Sequence, residues 1–216
     1  MTESLTGTAM PDNDVAGEAA RAQRDRARLK TVGFQHGGVM IAALVVWGSA
    51  AQWLGLASEW LVQLIGIGAG FFAGLILAFL AHEWGHFSGA RLSGALSPVL
   101  KERTSFFMFN FKTASNSRAQ FLAMSLGGPM ANWALVALVM FALPSGTLAH
   151  AALTATVLGV AINVCVFEFP VISRVSYGQD PAETLATRQL EMKQAGLVKQ
   201  AGLLAGVVAF ILLALT

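Results

Sequence analysis

The chain has few charges and almost no cysteine. Asp, Glu, Lys and Arg together make up 12% of its 216 residues, where a soluble domain carries about 25%. That deficit excludes an ordinary water-solvated globule and points to lipid as the solvent, because 55% of the residues are hydrophobic. With Cys165 as the single cysteine, no intrachain disulfide is available. Its apolar neighbours mark it as a small buried hydrophobe. No repeat or low-complexity segment is present. A net charge of +2 does not argue for nucleic acid, because the distribution of the basic residues has another explanation in membrane orientation, and no nucleic acid is expected as a partner.

What is abundant is long apolar runs. A bilayer span needs roughly 20 apolar residues, and five stretches qualify: 39–57, 61–87, 121–143, 151–171 and 197–215. In the last, Lys199 must snorkel toward the interface. The first 35 residues are polar, with Gly, Pro, Asp and Asn early and then RAQRDRARLK. They read as a disordered cytoplasmic tail leading into a retained first span, since no small-residue cleavage site follows the basic cluster. The membrane domain is then 36–216. The expected fold is an all-α polytopic membrane protein.

Orientation follows from the loops. The N-terminal tail holds five Lys and Arg, the segment Ser88–Gln120 five, and Ser173–Gln200 four, which accounts for all 14. The loops around Ser58–Trp60 and Pro144–His150 hold none. Five spans with a cytoplasmic N-terminus put every positive charge on the cytoplasmic side. The basic residues are orientation signals and contacts for membrane lipids. The expected location is a bacterial inner (plasma) membrane, as a multi-pass integral protein.

Against this apolar background a few polar groups stand out, and ionisable residues inside a span are functional by default. His82, Glu83 and His86 form HExxH near the end of the second span. On a helix, i and i+4 share a face, so both imidazoles reach one metal ion. Glu83, beside the first ligand, is placed to accept a proton from water activated by zinc. The third span carries GGPMAN, Gly127–Asn132. Its two glycines permit close helix approach, Pro129 frees a backbone carbonyl, and Asn132 puts an amide in the bundle. Helix packing and a site role both explain it.

The fourth span reads AINVCVFEFPVISR, Ala161–Arg174, with Asn163 and Glu168 as its strongly polar residues before Ser173. A carboxylate in such a run must be neutral, paired or on a metal. Downstream, Asp180-Pro181-Ala182-Glu183 reads as a helix start with Asp180 as the N-cap. Between the second and third spans, TSFFMFNFK, Thr104–Lys112, is rich in β-formers. It predicts a short membrane-associated β segment with an edge for an extended peptide, or an interfacial aromatic anchor. His36 and His150 are isolated and are given no site role.

HEWGH, GGPMAN and an Asn-led motif on three consecutive spans resemble the site-2 proteases, a family of intramembrane zinc metalloproteases. The resemblance covers about Leu61–Arg174, roughly half the chain, and implies a minimal form without a PDZ or CBS module. The family's fourth-span motif is Asn-x-x-Pro-x-x-x-Leu-Asp-Gly, often followed by Arg, and its Asp is the third zinc ligand. Asn163 and Arg174 match; Val166 stands at the Pro position and Val171 at the Asp position. With the Asp missing from its register, Glu168, about one turn earlier, is the expected third ligand, with Asp180 the alternative.

The activity implied is hydrolysis of a peptide bond within or beside a transmembrane helix of a membrane protein substrate. Glu83 is then the catalytic base, His82, His86 and Glu168 hold Zn2+, and Asn132 and Asn163 hold the unwound substrate. Two other classes are a catalytically silent homologue that binds metal or membrane helices, and a metal transporter. A transporter requires further in-membrane ligands along a path, and the sequence offers few.

Overall fold

In a computed structural model, the described residues are 12–54, 59–101, 108–143 and 146–215. They form a helical bundle: α1 (Asp12–Leu54), α2 (Trp60–Leu92), α3 (Arg118–Ala142), α4 (Leu148–Ser176), α5 (Pro181–Gln194) and α6 (Ala201–Ala214). Short 3-10 turns at Thr113–Ser115 and Gly196–Gln200 precede α3 and α6. Five of the helical stretches are long and apolar enough to cross a membrane, the last being Gly196–Ala214. Each span expected from hydropathy overlaps one of them, and residues 55–57 of the first lie outside the described residues.

α2 and α4 form the centre, with α3, α1 and α6 around them. Their core joins Trp47 of α1, Leu77 of α2, Val136 and Val139 of α3, and Leu153 and Val157 of α4. The outward faces stay apolar, as in Phe72, Leu138, Phe141 and Ile211, which suits a lipid solvent. At one end, Arg91 of α2 pairs with Asp25 of α1, and Arg118 of α3 donates to the Gly178 carbonyl beyond α4. The polar connections thus gather on one side. At the other end, Trp47 Nε1 donates to the Ala149 carbonyl at 3.1 Å.

Two expectations need correction. Residues 12–35 were expected as part of a disordered tail, but they are helical and continuous with the first span. Their Ala, Arg, Gln and Leu content favours helix. Asp25 fastens the segment by accepting from the Val99 amide at 2.7 Å as well as pairing with Arg91. At 43 residues, α1 is about 65 Å long, about twice the hydrocarbon thickness.

The β segment expected after the second span is not formed among the described residues. A single antiparallel bridge pairs Val99 with Phe109, flanked by Leu100 N to Met108 O and Asn110 N to Pro98 O, both 3.0 Å. Residues 104–107 of that expectation lie outside the described residues. Here the side chains decide the conformation: Met108 and Val99 are buried against Phe87 and Val32, and Phe109 meets Phe87 edge-on at 5.4 Å. The loop is shaped by packing onto α1 and α2 rather than by strand pairing.

Candidate metal centre

The site is built where α2 crosses α3. A side chain at Gly85, the glycine within HEWGH, would run into the Gly127 carbonyl, and one at Gly127 into the Gly85 carbonyl. Gly89 meets Ala123 in the same way one turn on. Backbones this close bring the side chains flanking Gly85 straight onto α3.

Three positions on one face of α3, spaced i, i+4 and i+8, receive them. His86 Nδ1 lies 2.8 Å from the Met124 carbonyl. Gly128 leaves room for both rings: a Cβ there would sit 2.6 Å from His82 Cε1 and from His86 Cε1 and Nε2. His82 Nδ1 lies 2.9 Å from Asn132 Oδ1.

These partners determine the tautomers. Asn132 Nδ2 donates to the Ala78 carbonyl at 2.9 Å, so its Oδ1 faces His82 and can only accept. His82 must donate from Nδ1. Met124 offers a carbonyl, so His86 also donates from Nδ1. Both neutral rings therefore carry a lone pair on Nε2, and the two Nε2 atoms face each other at 2.9 Å.

Glu168 of α4 brings a third acceptor. Its Oε1 is 3.2 Å from His86 Nε2 and 3.7 Å from His82 Nε2. Three acceptor atoms converging while both imidazole Nδ1–H groups point away make a candidate site for a cation. The donor atoms all lie within 4.8 Å of one another. Tetrahedral zinc with ligands at about 2.0–2.1 Å places donors about 3.4 Å apart, so the set fits zinc in kind and in spacing. Each imidazole is also oriented through its other nitrogen, as metal-ligating histidines usually are.

Glu83 is buried on α2 beside His82, within electrostatic range of both His86 and Glu168. The remaining sequence-nominated residues sit elsewhere. Asp180 is exposed and caps α5, its Oδ1 accepting from Glu183 N at 2.9 Å. Asn163 lines a cavity of about 500 Å³ between α2, α4 and α6, together with Phe79, Gly202 and Lys199. Asn132, nominated for substrate, is fully buried with both ends of its amide engaged inside the protein. Val171, where the resemblance to the site-2 proteases would put an Asp, packs with Phe121 and Val175. His36 accepts from Trp84 Nε1 at 3.2 Å, and His150 lies by Thr154 and Trp47; neither joins the centre.

Comparison with family models, with curated proteins and with solved structures returned no match. The functional reading of the site therefore rests on its own chemistry.

The sequence did not disclose the roles of Gly128 and the Met124 carbonyl. The i, i+4, i+8 register of Met124, Gly128 and Asn132 was a usable signal, because HExxH has the same period and two helices crossing at glycines can match faces.

Proposed function

We propose that the protein is an intramembrane zinc endopeptidase that hydrolyses a peptide bond within or next to a transmembrane helix of a membrane-bound partner. The observation that carries this reading is the convergence of His82, His86 and Glu168 beside Glu83, inside a bundle of membrane-length helices. A metallopeptidase needs a metal site and a base together, and Glu83 beside the converging His82, His86 and Glu168 supports both.

His82, His86 and Glu168 hold the ion, and Asn132 and the Met124 carbonyl hold the imidazoles in the right tautomer. Zinc in such a site supplies Lewis acidity, activating water at neutral pH and polarising a carbonyl. Glu83 takes the proton from the attacking water as the new C–O bond forms. It returns that proton to the amide nitrogen as the C–N bond breaks, so protons balance over the cycle. A helical substrate must unwind first, because its carbonyls are engaged in i to i+4 bonds. Asn163, the substrate residue suggested by the resemblance, lines the separate cavity toward α6, so a part in holding freed backbone groups requires the substrate to extend into that cavity.

The one-sided Lys and Arg distribution supports a cytoplasmic N-terminus in a bacterial plasma membrane and release of a cytosolic fragment. A second reading, a catalytically silent homologue that binds metal or membrane helices, draws on Val171 in the family's Asp register. Glu83 favours the first. Cleavage of a defined transmembrane substrate by wild type, and its loss in Glu83→Gln with zinc retained, separates them.

A further inference from the structure

Pro170 lies inside α4, two residues after Glu168. Proline has no N–H, so the carbonyl four residues earlier, that of Val166, loses its helical donor. An orphaned carbonyl at this depth is costly unless another group serves it. The structure supplies one from a different helix. Arg188 of α5 donates Nη2 to the Val166 carbonyl, and its side chain is only 12% exposed.

The same guanidinium is held from behind. Arg188 Nη1 bonds Glu191 Oε2 at 2.9 Å, and Glu191 Oε1 bonds Arg174 Nη2 of α4 at 2.7 Å. The chain Arg174–Glu191–Arg188–Val166 thus ties α5 to α4 on both sides of Pro170. Glu168 stands between the two tied points.

We propose that Arg188 is a positioning residue for Glu168. By replacing the donor that Pro170 removes, it fixes the stretch of α4 around Pro170 so that the Glu168 carboxylate reaches His82 and His86. This inference rests on the reading that these three residues hold a metal. It makes α5, which carries none of the ligands, part of the metal centre.

The test is a double-mutant cycle on the full chain in detergent, reading Co2+ affinity from the visible absorption of the bound ion. Arg188→Gln weakens Co2+ binding about tenfold, and Arg188→Lys recovers part of the loss. Pro170→Ala returns an N–H to the Val166 carbonyl, so in that background Arg188→Gln changes affinity less than about twofold. Thermal midpoints without metal should show the same non-additivity. An unchanged affinity in Arg188→Gln, or an equal tenfold loss in both backgrounds, overturns the positioning role while leaving the metal site standing. A wild-type protein that binds no Co2+ overturns the metal reading itself, and this inference with it.

Discussion

The Nε2 atoms of His82 and His86 face each other across 2.9 Å, and both nitrogens are hydrogen-free in the neutral rings because each Nδ1 donates elsewhere. Two lone pairs held this way repel unless a cation lies between them. The arrangement is fixed from α3, through Asn132 and the Met124 carbonyl, and it is the basis of the proposed metal site. Removing either imidazole should abolish stoichiometric zinc binding, measured by metal analysis after dialysis. Retained stoichiometric zinc in His82→Ala or His86→Ala would contradict the assignment.

In the proposed site, Asn132 acts on the metal through His82. With Asn132→Ala, the His82 ring loses its acceptor and can turn or change tautomer. Zinc affinity is expected to fall about 10–100-fold while the ion still binds at high concentration. Competition with a chromophoric chelator measures this. Unchanged affinity combined with a raised KM would move Asn132 to the substrate.

Gly128 is required by the rings rather than by its own backbone. A methyl group there comes within 2.6 Å of both imidazoles, so Gly128→Ala must displace them or part α2 from α3. Loss of zinc binding and destabilisation of about 1–3 kcal/mol are expected. Zinc content and thermal unfolding check both. Full occupancy at wild-type stability would show that the crossing is looser than described.

For the third ligand, the informative pair is Glu168→Gln and Asp180→Asn. The first removes an anionic ligand and should lose zinc. The second leaves a good N-cap on α5 and should change zinc affinity less than about twofold. The reverse pattern would require the chain after Pro170 to fold back into the bundle.

The spans were legible because a bilayer imposes one length and one composition on every helix that crosses it. The His82–His86 pair was legible because i, i+4 spacing survives any packing arrangement. Glu168 could be picked out because an unpaired carboxylate has few ways to exist in an apolar run. The helicity of 12–35 was hidden, since that segment is mostly polar and charged, and Leu29, Val32 and Asp25 find their partners only in three dimensions. The loop at Phe109 misled because β-forming residues were taken for a strand, whereas burial of Met108 and Val99 decides its shape. Pro170 announced an orphaned carbonyl at Val166, but no local pattern says that Arg188, 22 residues later, returns to serve it.

The most direct test is cleavage of a defined transmembrane substrate in detergent or liposomes by zinc-loaded wild type and zinc-loaded Glu83→Gln, with zinc content measured in the same samples. Glu83 lies beside the metal ligands and is not itself one of the three converging donors, so the variant should keep its zinc. Its cleavage rate should drop by about 10²–10⁴. Cleavage at the wild-type rate by a zinc-replete Glu83→Gln protein, or no cleavage by zinc-replete wild type, would contradict the proposed peptidase chemistry.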